Sequence, residues 1–421
     1  MSGADVAVIG AGPYGLSISA HLAKGALSVR TFGIPMESWR TSMPAGMFLK
    51  SEGFASNLYA PGGAFTLAEY CRARGIEYAD LGVPVSLETF SAYGEAFQKE
   101  FVREVDSRKV VNIRWKRAAG FEIELEDGTY QSARNVIVAV GLTHAQYVPS
   151  ALAELPATFC SHSARHHRFD DLAGRDVTVV GAGASAVDCA IALHASGANV
   201  RIVSRREPSF HSPPESATRS LYERVRHPWS GLGKNWKAYF YAEFPHVFYR
   251  LPPPVRVKVA RTALGPAAGW FTKDAVAGRI EVRSGLVCRR AEVRKGRVLL
   301  HMESTAGGPS RPLETDFVLA ATGFAVDVKR IPFLNEMLPS IRLFERSPVL
   351  SPSFESSLPG LFFAGVSAKD SFGPVLRFAF GARFTAERLA ARLLRIAFAG
   401  SPAGRAAEAN GRLAAGLAGG S

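Results

Sequence analysis

One spacing of glycines occurs twice in this chain and constrains it more than any other feature. The run Val6-Ala7-Val8-Ile9 is apolar and rich in β-branched residues, and it stops at Gly10-x-Gly12-Pro13-Tyr14-Gly15. Leu16, Ile18, Ala20 and Leu22 then alternate with small residues. The first part reads as a buried parallel strand and the last as a helix. Strand, G-x-G-x-x-G and helix together form a turn that cradles a dinucleotide. The first glycine makes the bend, the second lets backbone approach a pyrophosphate, and the third lets helix and strand pack closely. The pattern returns downstream, where Asp176-Val177-Thr178-Val179-Val180 leads into Gly181-Ala182-Gly183-Ala184-Ser185-Ala186 and a helix running from Val187 to Ala195. Two such turns predict an α/β chain with two Rossmann-like dinucleotide-binding domains.

The strands after the two turns end differently. Leu27 to Phe32 reads as the second strand of the first domain, and Gly33 stands where an acid that holds a ribose hydroxyl is expected. Glu37 follows closely enough to be a substitute. Ser204 lies as far beyond Gly181 as Gly33 lies beyond Gly10, and it begins Ser204-Arg205-Arg206. Guanidiniums at that place suit a 2′-phosphate, which favours NADPH over NADH; an exposed Arg pair at a strand end is the plainer alternative. Opposite chemistry at the two strand ends implies two nucleotides, one a flavin and the other a nicotinamide.

Other stretches supply candidates. Trp39 packs either in the core or against the cofactor. Met47-Phe48-Leu49-Lys50 reads as strand-like, with Lys50 either an edge charge or a group aimed into a cavity. Phe90, Tyr93, Phe97 and Phe101 fall at helical spacing and read as core. The segment 208–269 is Pro-rich, aromatic and basic, and reads as a helical insertion, either a lid over the cleft or a surface elaboration. Asp316 to Ala320 forms a strand halted at Ala321-Thr322-Gly323, and Leu361-Phe362-Phe363 another halted at Gly365. Phe372-Gly373-Pro374 precedes a helix expected from about Val375 to Ala399, whose N-terminus could face a flavin ring.

These signals divide the chain into a discontinuous first domain, 1–150 with 310–400, a second domain at 151–309, and a flexible tail at 401–421. The chain has 421 residues and a net charge of +13, but its Lys and Arg are scattered, so a basic surface serving anionic cofactors is favoured over a nucleic-acid role. Four cysteines lie far apart without a CxxC pair, which fits a reducing compartment and removes a dithiol mechanism. No leader precedes the first strand, and no run reaches the roughly 18 apolar residues of a membrane span, so a cytoplasmic protein with no membrane partner is expected.

In the order of its motifs the chain resembles the class B flavoprotein monooxygenases, the group of flavin-containing monooxygenases, Baeyer–Villiger enzymes and ornithine/lysine N-hydroxylases. The motifs that carry the resemblance are Gly10-x-Gly12-x-x-Gly15, Gly181-x-Gly183-x-x-Ala186, Ala321-Thr322-Gly323 and the strand into Gly365, spread over about 5–395. The resemblance implies FAD at the first turn, NADPH at the second, and oxygenation of a small molecule at an N, S or carbonyl centre. Reduced flavin would take up O2 as a C4a-(hydro)peroxide. It also implies that Lys50 approaches the substrate. The branch motif FxGxxxHxxx(W/Y) is largely replaced: with His162 in the His position, Pro156, Thr158 and His166 stand at the other three. His162 is therefore either functional or a structural hydrogen-bonder. An NADPH:FAD reductase passing electrons to a non-disulfide acceptor is the alternative, and a nucleotide-loaded sensor a third. Self-association is left open.

Overall fold

The computed structural model describes residues 3–117, 119–214 and 220–400; the expected tail at 401–421 lies outside them. Strand Ala4–Ile9 forms where expected and is buried from Val6 to Ile9, because parallel strands covered on both faces need apolar residues at successive positions. It pairs in parallel with Val29–Phe32 on one side and Tyr130–Val138 on the other. Val105–Asp106 extends the sheet beyond Val29–Phe32, and Leu361–Phe363 joins Tyr130–Val138. The antiparallel strands Val110–Lys116 and Gly120–Leu125 complete it against the outer half of Tyr130–Val138. Its core includes Val6, Val8, Phe121, Ile137, Phe362 and Phe372.

A second, fully parallel sheet runs in the order Glu281–Arg283, Asn199–Val203, Asp176–Val180, Phe317–Ala320, Cys160–His162. This corrects the domain boundary. Phe317–Ala320 pairs with Asp176–Val180, so the second domain extends past 309 and the first resumes only at Leu361–Phe363 as sheet. A separate antiparallel sheet, Leu286–Arg294, Arg297–Ser304 and Leu313–Thr315, precedes that last strand.

Two linkers join the sheets, and they run side by side. One leaves Tyr130–Val138 and the other leaves Phe317–Ala320. They meet at an antiparallel bridge between Gln146 and Phe324, flanked by Tyr147 N–H to Gly323 O at 3.1 Å and Ala325 N–H to Ala145 O at 2.7 Å.

The insertion is helical, with Leu221–Arg226, Trp236–Glu243, Pro245–Phe248 and Pro253–Thr262. Its two ends are stapled by a bridge between Phe210 and Ala268. It docks on the first domain: the Tyr249 hydroxyl donates to Leu350 O at 2.9 Å, and Arg256 donates to Ser371 O at 3.4 Å.

Two local expectations fail. Met47 to Lys50 is not a strand; Phe48 makes one isolated bridge to Ser86. The helix expected from Val375 begins at Ala382, because Gly373 (φ +97°) interrupts the backbone and residues 374–381 form short 3-10 turns. No helix among the described residues is long and apolar enough to cross a membrane.

Candidate functional site

Both glycine turns sit at the C-terminal ends of parallel strands, with parallel neighbours on either side. This is the crevice in which open α/β sheets take their ligands. Gly10 has φ +115°, and a side chain there would meet Ala139 O at 2.4 Å. Gly181 repeats the situation with φ +144° and Ala321 O at 2.3 Å. Ala139 and Ala321 each follow the strand that pairs with the turn's own strand. Ala321-Thr322-Gly323 therefore belongs to the second turn, as the counterpart of Ala139-Val140-Gly141. It is not part of the first domain.

Its chain neighbours aside, Gly12 has no atom of the described residues within 4 Å of the place a Cβ would take, so the backbone face is bare. Gly12 caps helix Pro13–Leu22, and Pro13 at its start costs no hydrogen bond because the first N–H groups of a helix have no partner in it. At Gly15 a Cβ would lie 1.7 Å from Gly10 O, so only glycine fits. Bare backbone, free N–H groups and a helix N-terminus fit the pyrophosphate of a dinucleotide such as FAD.

Gly183 caps helix Ala184–Ala195 in the same way. Its open face is not bare: Pro266 Cβ stands 3.1 Å from where a Cβ would be. Pro266 belongs to the returning end of the insertion and is held by a Ser209 hydroxyl bond to its carbonyl at 3.0 Å. Leu264, two residues earlier, takes a left-handed φ of +55°. The Arg377 guanidinium, from the first domain, donates to Ala263 O at 3.0 Å and Leu264 O at 3.3 Å. Ala184 and Ser185 are partly exposed beside this strap, and Ala186 is buried. Ser204 is buried, its hydroxyl donating to Arg206 O at 2.7 Å. Arg205 and Arg206 are exposed, and neither forms an ion pair among the described residues.

Around the first turn the expected residues divide. Glu37 is exposed at the start of helix Glu37–Thr41. Trp39 packs edge-on against Phe90 at 4.6 Å and joins that core. Met47 is half-buried. Tyr14 turns away from the cradle: its hydroxyl donates to Phe378 O at 2.8 Å, and its ring sits 3.3 Å from the Cβ position of Gly365. Phe372 is core, stacked on Phe354 at 4.0 Å, and Gly373 lies against Phe248 of the insertion. Packing thus occupies the side chains of Tyr14 and Phe372.

His162 is hydrogen-bonded at both ring nitrogens. Its Nε2–H donates to Gly323 O at 2.9 Å, and its Nδ1 accepts from Ala164 N–H at 3.1 Å. Both ring nitrogens are committed, and the pattern fixes the neutral Nε2–H tautomer. Burial lowers its pKa, and the Gly323 carbonyl opposes that only in part. His162 thereby clamps the Ala321-Thr322-Gly323 linker, which Thr322 also ties by donating to Tyr147 O.

Lys50 crosses between the domains. Its Nζ lies 2.7 Å and 2.8 Å from the two carboxylate oxygens of Asp188 and donates to Phe48 O at 2.8 Å. Asp188 projects from helix Ala184–Ala195 and is buried; burial pushes its carboxyl up, and Lys50 pulls it back. Phe271 covers the ammonium at 5.5 Å. Sequence reasoning missed Asp188, although a lone acid in the apolar stretch Val187-Asp188-Cys189-Ala190 was a readable signal. It also missed Pro266, which nothing local announces. No metal-binding group of His, Cys, Asp or Glu occurs among the described residues.

Comparison with known proteins agrees with this layout. A family profile described as pyridine nucleotide-disulphide oxidoreductase matches residues 7–243. No curated protein matches significantly. Among solved structures, the ornithine N-hydroxylase of Kutzneria sp. 744 is 16% identical, with a TM-score of 0.72 over 94% of this chain and 99% of that one. The L-lysine 6-monooxygenase of Pseudomonas syringae is 19% identical, with a TM-score of 0.70 over 93% and 99%. The bacillithiol disulfide reductase of Staphylococcus aureus is 18% identical, with a TM-score of 0.63 over 94% and 99%. At these identities the likeness is one of fold.

Proposed function

The chain belongs to the pyridine nucleotide-disulphide oxidoreductase family, and from that premise we propose that it is an NADPH-dependent FAD monooxygenase that hydroxylates a small molecule, with an amine nitrogen the favoured centre. The observation that carries the reading is the pair of glycine turns in one chain, with bare backbone at Gly12 and, beyond Gly183, two exposed guanidiniums that form no ion pair among the described residues. The higher TM-scores of the two amine hydroxylases, against that of the disulfide reductase, add support.

In this proposal Gly10, Gly12, Pro13 and Gly15 hold the flavin dinucleotide, and Glu37 is the side chain nearest in sequence to its ribose end. Gly181, Gly183, Ala184, Ser185 and Ala186 hold the nicotinamide dinucleotide, with Arg205 and Arg206 taking the 2′-phosphate. When bound, the flavin supplies hydride acceptance and oxygen chemistry, which no side chain provides. The chain's own part is to bind, orient and shield. Lys50 serves it by fixing one domain against the other through Asp188, with its charge already spent. His162 serves it by holding the linker at Gly323.

The test is product analysis. The FAD-loaded protein is incubated with NADPH, O2 and a panel of ornithine, lysine and aliphatic diamines. NADPH consumption matched by a product one oxygen heavier supports the reading. NADPH consumption yielding only hydrogen peroxide with every amine, together with turnover of an electron acceptor, favours the reductase. The reductase alternative concerns a non-disulfide acceptor, because the four cysteines form no CxxC pair. Arg205→Ala is expected to raise KM for NADPH about tenfold while leaving NADH nearly unchanged, the loss of one charge-assisted phosphate contact. Equal effects on both would remove the 2′-phosphate assignment.

A further inference from the structure

The insertion carries exposed apolar side chains where water should be. Of sixteen large hydrophobic residues exposed among the described residues, seven lie between 221 and 255. Leu221, Tyr222, Val225 and Trp236 are 77%, 69%, 67% and 58% exposed, and Phe244, Val247 and Val255 accompany them. Scattered exposed hydrophobics need no explanation, but a concentration in one short stretch does.

The stretch is helical, and its later part is anchored on the first domain. Helix Leu221–Arg226 begins with a capping box between Ser220 and Glu223, and every one of its residues is exposed. Leu221 and Val225 are one turn apart and so share a side of the helix, with Tyr222 next to them. Arg226 lies over the Tyr222 ring at 5.9 Å and donates to its hydroxyl at 3.0 Å. Further on, ring contacts run from Trp236 to Tyr239 at 5.7 Å, Tyr239 to Phe244 at 6.2 Å and Phe244 to His246 at 6.2 Å. The inner side of the same insertion is seated on the first domain through Phe248, Tyr249 and Arg256. The exposed apolar side chains are those which that seating leaves uncovered.

Charge identifies the occupant. Residues 220–262 hold eight Lys and Arg against two Asp and Glu. The side chains of Arg224, Lys237, Arg250 and Lys258 are exposed and form no hydrogen bond or ion pair among the described residues. A second copy of the chain would bring like charges together. A nucleic acid would use the rings for stacking but leaves Leu221, Val225, Val247 and Val255 without a role. We propose that this face docks on an anionic lipid surface, with the aliphatic and aromatic side chains entering the headgroup boundary and the cations meeting lipid phosphates. The expectation of no membrane partner rested on the lack of a span, and a helix lying on the surface needs none.

The test is co-sedimentation of the full-length FAD-loaded protein with phosphatidylcholine vesicles, with and without about 30% phosphatidylglycerol, from about 50 to about 500 mM salt. Binding is expected to the anionic vesicles at low salt, at least about tenfold weaker to neutral vesicles, and to fall with salt. The variant carrying Leu221→Asp, Tyr222→Ser and Val225→Asp should lose at least about tenfold in vesicle affinity while keeping its Tm and flavin content. The Arg224→Glu/Lys237→Glu variant should lose most of the salt dependence. No binding to anionic vesicles, equal binding to neutral ones, or unchanged binding by the triple variant would overturn the proposal. Concentration-dependent dimerisation, or retention of single-stranded DNA, abolished by the triple variant in the absence of vesicle binding would also overturn it, assigning the face to that occupant.

Discussion

Gly12 and Gly183 share one backbone shape, with φ, ψ of −86°, −172° and −85°, −179°. What surrounds them differs. Beside Gly12 there is open space, whereas beside Gly183 stands Pro266, held by Ser209 on its own domain and, through Leu264, by Arg377 on the other. The third position differs too: Gly15 is jammed against Gly10 O, while the second turn accommodates Ala186. The first turn is thus built tight and left open, as suits a group that stays bound. The second is looser and covered by a strap, as suits a co-substrate that comes and goes. In the proposed reading the duplicated motifs are where the nucleotides bind, and what packs on each motif decides how they are held.

The sharpest way to break this comparison is to exchange the third positions. Gly15→Ala should cost more than about 4 kcal/mol, the cost of a backbone collision that cannot relax, and give little folded protein. Ala186→Gly should cost only about 0.5–1 kcal/mol, the entropy of a glycine in a helix. Similar melting curves for the two variants would show that the turns are equivalent. Next in size is the tie between the domains. Asp188→Asn leaves the partly buried Lys50 charge without its carboxylate and should lower stability by about 1–3 kcal/mol, read from chemical denaturation. The Lys50→Met/Asp188→Leu pair should recover most of that, and failure to recover would mean that the pair is not what joins the domains.

These contrasts also show what the sequence could tell. Both turns, their strands and the parallel sheets were legible, because β-branched runs ended by glycine have few other solutions. The place of Phe317–Ala320 was not. A buried strand carries no local mark of which sheet it joins, and only its pairing with Asp176–Val180 decides. Lys50 was legible as a charge in apolar company, but its partner lies 138 residues away. Tyr14 and Phe372 were read as cofactor contacts, while their side chains pack inward on Phe378 O and Phe354, because an aromatic beside a glycine looks the same in sequence whether it faces a ligand or a core.

Two smaller effects sharpen the account. Pro266→Gly should loosen the strap and lower KM for NADPH about two- to fivefold, with flavin content unchanged; a higher KM would make Pro266 part of the binding surface rather than its cover. His162 gives a pH effect of known sign. Its pKa in the folded protein is lowered by burial, so below about 6.5 the unfolded chain binds more protons and stability falls as pH drops. A Tm series from pH 8 to pH 5 should decline less steeply for His162→Asn than for the wild type, though His21, His144, His166 and His211, lowered in the same direction by burial, keep part of the slope.

The division of labour between the turns is tested most directly by anaerobic titration with NADPH, followed through flavin absorbance, in wild type, Gly12→Val and Gly183→Val. The account predicts a yellow wild type bleached by NADPH, a colourless Gly12→Val, and a yellow Gly183→Val that NADPH bleaches at least about a hundredfold more slowly, the loss of most of the pyrophosphate contacts. A wild type that stays colourless with excess FAD, or a Gly183→Val variant bleached at the wild-type rate, would contradict it.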